Sequence, residues 1–140
     1  YMDHLDDNLA SHCPLQPLTD EELDFLENIA RKIHDLKTIP CNECQYCMPC
    51  PFGLNIPAIF SHYNKCINEG NLAKSQDESG YKAMRKAFLV GYDRSVPKLR
   101  QADHCVHCGE CVTHCPQRIN IPEMMQLVDE YVEKLKRWTL

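Results

Sequence analysis

Eight cysteines fall into two short runs, Cys41-x-x-Cys44-x-x-Cys47-x-x-Cys50-Pro51 and Cys105-x-x-Cys108-x-x-Cys111-x-x-x-Cys115-Pro116, with Cys13 and Cys66 as outliers. Thiols separated by two residues let the backbone curl so that several sulfurs face one point with main-chain N–H groups beside them. That arrangement suits metal ligation, or the chemistry of a redox dithiol. The rest of the composition removes other classes. The 140 residues carry 15 Lys+Arg against 20 Asp+Glu, a net charge of −5, and no basic cluster interleaved with aromatics, so nucleic acid is not an expected partner. No apolar run approaches the roughly 20 residues of a membrane-spanning helix. The opening Tyr1-Met2-Asp3-His4-Leu5-Asp6-Asp7 also lacks the basic end and apolar core of a signal peptide. A cytoplasmic protein without a membrane partner is the expectation, and there cysteines stay reduced and act as ligands, catalysts or core residues.

The elements that must position these thiols come as two copies of one unit. Cys50-Pro51-Phe52-Gly53-Leu54-Asn55-Ile56-Pro57 aligns with Cys115-Pro116-Gln117-Arg118-Ile119-Asn120-Ile121-Pro122. In each copy the proline after Ile suits a first helical turn, where its missing N–H has no partner. Ile59, Phe60, Tyr63 and Ile67 then recur at helical spacing until Gly70, and Met124, Met125, Val128, Val132 and Leu135 do so in the second copy. Thr19-Asp20-Glu21-Glu22 reads as a capping box opening a helix over 20–37, with Leu23, Leu26, Ile29, Ala30, Ile33 and Leu36 on one face. Residues 68–79 read as a loop and 81–90 as a helix. With no run of alternating β-branched residues, the expected fold is all-α, built of two pseudo-symmetric cysteine loop and helix units.

Three cysteines at gaps of two, closed by Cys-Pro and duplicated, favour iron–sulfur clusters. Zinc, which usually takes paired Cys-x-x-Cys hooks, and a redox dithiol stand as the alternatives. In two-cluster ferredoxins the fourth cysteine of such a run ligates the other cluster. Applied here, Cys41, Cys44, Cys47 and Cys115 hold one [4Fe–4S] cluster, and Cys105, Cys108, Cys111 and Cys50 hold the second. The first run departs from that pattern by having two residues, not three, before Cys50. Tyr46, Phe52, Ile56, Ile119 and Ile121 are expected to cover the clusters. His104, His107 and His114, inside or beside the second run, are expected on the surface or just behind the ligands. Cys66 lies on an apolar stripe and reads as a buried small hydrophobe, and Cys13 as an incidental thiol. No residue is singled out as catalytic. Residues 81–100 carry Lys82, Arg85, Lys86, Arg94, Lys98 and Arg100 against Asp93 alone, a solvated face or a docking surface for an acidic electron carrier.

The segments Cys41 to Pro57 and Cys105 to Pro122, with Tyr46-Cys47-Met48-Pro49-Cys50-Pro51 at the centre of the first, resemble the C-terminal iron–sulfur domain of a group of predicted aldo/keto reductases. The opening Leu5-Asp6-Asp7-Asn8-Leu9-Ala10 and Pro17-Leu18-Thr19-Asp20-Glu21-Glu22 resembles the link that leads into that domain from a barrel. The long span between the runs also resembles helical ferredoxin domains. The resemblance implies a linker over 1–18 and a helical two-cluster domain over 19–140, excised from an oxidoreductase whose upstream (β/α)8 barrel binds NADP(H). This chain has neither the barrel's catalytic set nor a Gly-rich phosphate loop, so nicotinamide would sit only on the absent domain. A stand-alone ferredoxin-like subunit of a redox complex and a structural, metal-stapled domain are the rival readings.

Overall fold

The computed structural model describes every residue except Leu36, and His34 by its backbone alone. The chain forms two compact units, Tyr1–Leu36 and Lys37–Leu140. No strand occurs among the described residues, and the fold is all-helical as the sequence predicts. No helix among them is long and apolar enough to cross a membrane.

The first unit holds α1 (Met2–His12) and α2 (Asp20–His34). The capping box forms: Glu22 N–H donates to Thr19 Oγ1 at 3.3 Å, and Thr19 N–H donates to Glu22 Oε2 at 2.9 Å. The Thr19 N–H and hydroxyl both donate to the Glu22 carboxylate and hold its pKa below the ordinary value. α2 closes at His34, short of the expected end at 37, and the stripe position Leu36 lies outside the described residues. The rest of the stripe, Leu23, Leu26, Ile29, Ala30 and Ile33, is exposed.

In the second unit α3 (Ile56–Asn68) packs on α4 (Tyr81–Ser95), and α4 packs on α6 (Ile121–Arg137). Two 3-10 turns, Lys98–Arg100 and Ala102–His104, and the single-turn α5 (Glu110–Thr113) complete it. α3 and α6 both start at the Ile-Pro step of the repeat, as expected. The end of α3 is fixed by Gly70 in the left-handed region: its N–H donates to Ile67 O and that of Asn71 to Cys66 O, satisfying two otherwise orphaned carbonyls. α4 runs past its expected end at Val90 and stops at Ser95, just before Pro97. Gly91, a poor helix former, is kept inside α4 by packing: a Cβ there would lie 2.6 Å from His62 Cε1.

The core joins the three long helices. The fully buried Phe88 of α4 meets His62 and Tyr131 with ring centroids 4.9 Å away in both cases. Burying such a side chain contributes about 1.5–3 kcal/mol. His62 Nε2–H donates to Phe88 O at 3.0 Å, and burial holds its pKa below the ordinary value, which suits a neutral ring. Cys66 is buried with its sulfur 3.5 Å from the same nitrogen, and burial pushes its thiol up to about 11, so it behaves as an inert core group.

Candidate metal centres

The fold brings the two cysteine loops together at the N-terminal ends of α3 and α6, and two cavities open there. One is lined by Cys41, Cys44, Cys47 and Cys115, the other by Cys105, Cys108, Cys111 and Cys50. In each, the last cysteine of a run joins the first three of the other. The spaces are alike in size, about 320 and 300 Å³ with the open side included.

Every lining position of one cavity has its counterpart in the other. Ile56 and Ile121 line both cavities, Pro57 and Phe60 in the first correspond to Pro122 and Met125 in the second, and Ile119 corresponds to Leu54. The remaining three pairs differ in character: Asn42, Gln45 and Gln117 in the first cavity are replaced by Val106, Gly109 and Phe52 in the second.

The backbones also repeat. Glu43 (φ 56°) matches His107 (φ 57°), Gln45 (φ 64°) matches Gly109 (φ 80°), and Gly53 (φ 80°) matches Arg118 (φ 53°). Four of these six residues are not glycine, and each left-handed conformation costs an L-residue about 1–2 kcal/mol. Turn bonds coincide as well: Met48 N–H to Gln45 O with Val112 N–H to Gly109 O, and Gly53 N–H to Cys50 O with Arg118 N–H to Cys115 O. Alternating backbone handedness of this kind turns successive N–H groups into a concavity that favours an anionic group, as a thiolate-bound cluster is.

The electrostatics follow the same grouping. Burial pushes the Cys41 and Cys47 thiols up; the backbone N–H of Glu43 partly offsets this at Cys41, and negative charge at Cys44 and Cys115 adds to it at both. Burial pushes Cys111 up to about 11, with Cys108, Cys105 and, across the boundary between the cavities, Cys47 contributing. These thiols are protonated when free, so metal binding must release their protons. A groove lined by Cys47, Cys50, Cys108 and Cys111 with Tyr46 and His114 runs past both cavities, so the two sites are neighbours.

The donor set decides what would fit. A single zinc ion needs its ligands within about 2.0–2.3 Å of one point. Among the described residues no three His, Cys, Asp or Glu side chains gather that way. Four thiols that line a common cavity without converging on one point suit a cluster of several metals instead. A family of 4Fe-4S dicluster domains matches residues 40–119, a span that contains all eight of these cysteines. The chain belongs to that family. As a 4Fe-4S dicluster domain it is an iron–sulfur, metal-binding protein. No curated protein and no solved structure matches the chain.

Around the dicluster sites the expected covers divide. Ile56, Ile119 and Ile121 are buried in the cavity walls, and Phe52 lines the second cavity while 47% exposed. Tyr46 is 68% exposed and borders only the groove, so it covers neither cavity. His104, His107 and His114 are exposed and line neither cavity; His104 pairs with Asp103 at 2.9 Å. Cys13 is exposed in the first unit.

Residues that spacing did not single out position the loops. Asn64 of α3 accepts the Ile39 N–H at 2.8 Å and donates to Ile39 O at 2.7 Å, pinning the backbone two residues before Cys41. The buried Gln101 donates to Val96 O and Asp93 Oδ1, both at 3.0 Å, and Ala102 N–H donates to Tyr92 Oη at 3.0 Å, pinning the approach to Cys105. The sequence hint for Asn64 is its place as an asparagine inside a helical pattern. Nothing in the sequence marks Gln101.

Proposed function

We propose that this domain carries two [4Fe–4S] clusters with crossed ligation and serves as an electron-transfer module. Cys41, Cys44, Cys47 and Cys115 would hold one, and Cys105, Cys108, Cys111 and Cys50 the other. The observation that carries the reading is the pair of matched cavities, each completed by the last thiol of the opposite run. When bound, such clusters supply one-electron transfer at potentials set by their surroundings. The chain's own contribution is to hold eight thiolates in place, to keep water off the inner faces with Ile56, Ile121, Phe60 and Met125, and to present backbone N–H groups to the sulfurs.

On the strength of the sequence resemblance, the module belongs to an aldo/keto reductase-like oxidoreductase in which an upstream barrel holds NADP(H), with the domain relaying single electrons to or from it. The basic face of α4 is then the side offered to an external acidic carrier. Lys82, Lys86 and Arg94 are exposed there, whereas Arg85 is committed to the fold: its Nε donates to Leu135 O at 2.6 Å and its guanidinium lies 4.1 Å from the centre of the Trp138 ring.

The test is anaerobic reconstitution of the full chain, followed by iron and sulfide counting and EPR of the reduced protein. About eight irons and eight sulfides, with two interacting paramagnetic centres, is the expected result. Only about four of each would overturn the two-cluster reading. A colourless protein that takes up zinc under the same conditions would overturn electron transfer altogether.

A further inference from the structure

The most exposed large apolar side chain among the described residues of the second unit is that of Leu99, at 79%. It sits in the middle of the 3-10 turn Lys98–Arg100, with an exposed cation on either side and the exposed Arg94 at the end of α4. Among the described residues none of these three cations is in an ion pair. The nearby acids are engaged: Asp93 accepts from Gln101 at 3.0 Å, and Asp103 is bonded to the ring of His104 at 2.9 Å. The turn is also fixed. Buried Val96 and Gln101 bracket it, the Gln101 side chain ties its two ends together by donating to Val96 O at 3.0 Å, and Arg100 N–H donates to Pro97 O at 2.7 Å. A side chain held out on such a turn loses little backbone freedom on binding.

The turn lies against the site of the second cysteine run. Arg100 O accepts the Asn55 N–H at 3.1 Å, and Leu54 and Ile56, on either side of Asn55, line the cavity of Cys105, Cys108, Cys111 and Cys50. Cys105 in turn donates its N–H to Ala102 O at 3.0 Å, just beyond the turn. The other exposed cations of α4 are remote from the thiols. Lys82 and Lys86 precede Arg94 by about 18 and 12 Å along the helix axis, at the end where Arg85 reaches Leu135 near the close of α6.

We infer that the Lys98–Arg100 turn, together with Arg94, is where an acidic one-electron carrier docks, with Leu99 seated against the carrier and the electron passing through the Cys105/Cys108/Cys111/Cys50 site. This rests on the electron-transfer reading. It narrows the basic face of α4 to the end beside the thiols and leaves Lys82 and Lys86 to steer the approach. In the step itself one electron leaves the centre of one protein and one arrives at the centre of the other, no bond forms or breaks, and no proton moves. The acidic character of the occupant follows from charge. The chain carries −5 overall and thiolate-bound clusters add to that, so a cationic patch is where a negatively charged partner is attracted and not repelled. Three cations around one apolar side chain match the small interfaces of transient redox partners, which bury less than about 1,200 Å². They are too few for the row of phosphate contacts that a nucleic acid needs.

The experiment is stopped-flow electron exchange between the reconstituted full chain and a plant-type [2Fe–2S] ferredoxin, a small acidic carrier, followed in the downhill direction over a salt series. Three variants stand beside the wild type: K98E with R100E, L99S alone, and K82E with K86E. All five side chains are exposed, and Arg100 meets Asn55 through its backbone, so the fold is kept. Iron content and reduction by a viologen radical, a small molecule that needs no docking surface, report on the clusters themselves. At low salt the K98E and R100E pair should slow the exchange by about tenfold or more, an effect that fades as salt is added. L99S should slow it at every salt concentration, and the K82E and K86E pair should have the smaller, salt-dependent effect. A wild-type rate that ignores salt, a far-end pair as damaging as the near-end pair, or clusters that the viologen reduces but that do not exchange with the ferredoxin overturns the docking inference alone. Salt-sensitive self-association that the K98E and R100E pair abolishes also overturns it, by making a second copy of the chain the occupant. Clusters that the viologen does not reduce overturn the electron-transfer reading and the inference with it.

Discussion

The loop from Cys41 to Pro57 and the loop from Cys105 to Pro122 hold their thiols with the same backbone but are fastened to the scaffold differently. The first is tied from its own side, because Asn64 sits in the helix that follows it and closes a two-way hydrogen bond on Ile39. The second is tied from the preceding helix, through Tyr92 and Asp93 near the end of α4 and through the Val96 carbonyl. One main-chain bond joins the two halves directly, from Asn55 N–H to Arg100 O at 3.1 Å. The sulfurs, the left-handed backbone and the inner apolar wall have been kept in both copies, while three lining side chains and what holds each loop in place have diverged. The part under chemical constraint is therefore the left-handed backbone and the four sulfurs, and many different scaffolds can supply the rest.

The sharpest way to break the comparison is to remove the thiol that each loop lends to the other. On the crossed assignment, Cys50→Ala should abolish the centre held by Cys105, Cys108 and Cys111, and Cys115→Ala the one held by Cys41, Cys44 and Cys47. Each variant should keep about half of the iron, and the two should lose different EPR signals. If the two variants lose their centres the other way round, each run supplies its own fourth ligand and the crossing is wrong.

Next in size is the fastening. Asn64→Ala would leave the N–H of Ile39, a residue only 4% exposed, without its partner, at roughly 1–3 kcal/mol, while the Ile39 carbonyl keeps the Cys41 N–H. Gln101→Ala strands the carbonyl of Val96 and should cost a similar amount. Chemical denaturation gives the totals. Hydrogen exchange gives the location, with Asn64→Ala loosening the first loop and leaving the second protected. Equal loosening of both loops in either variant would mean that the fastenings are not separate.

Gly91→Ala probes what both halves share. The added methyl would meet a ring that cannot swing aside, because His62 is bonded to Phe88 O and lies between Phe88 and Tyr92. Overpacking of this kind costs about 1–3 kcal/mol. The loss should appear in the unfolding midpoint, and combining the variant with His62→Ala should recover part of it. A Gly91→Ala protein as stable as the wild type would show that α3 and α4 can slide apart at no cost.

These expectations also mark where reading the sequence reached its limit. The cysteine spacing and the offset between the copies located the thiols, and helical periodicity found α2, α3 and α6, because ligand geometry and amphipathic burial both leave a period in the chain. Gly91 shows why the sequence pattern predicts too short an α4: the place of this glycine in the helix depends on a histidine on another element, and no local pattern carries that. Asn64 likewise acts on a segment 25 residues away, whereas Gln101 reaches back to Val96 and Asp93 at a spacing that no periodic pattern marks. Tyr46 failed as a cover because proximity to Cys47 in sequence does not say which way a side chain faces. The stripe on α2 was correctly read as amphipathic, yet periodicity does not say what covers a face, and this one is exposed.

The smallest effect gives the finest comparison, since it touches one backbone angle at matched positions. Gly53 and Arg118 both follow the last cysteine of a run by three residues, both donate to its carbonyl, and both lie in the left-handed region. An L-residue pays about 1–2 kcal/mol for that conformation, and glycine avoids the penalty but loses about 0.5–1 kcal/mol through the greater freedom of its unfolded chain. Arg118→Gly should therefore stabilise the domain by about 0.5–1 kcal/mol. Gly53→Ala should destabilise it by a similar amount, and through the backbone alone, because a Cβ there meets no atom within 4 Å. Paired denaturation curves would measure both. Opposite signs of nearly equal size would establish that the two turns are energetically the same device, and a destabilised Arg118→Gly protein would show that the arginine side chain holds its loop by contacts that outweigh the strain.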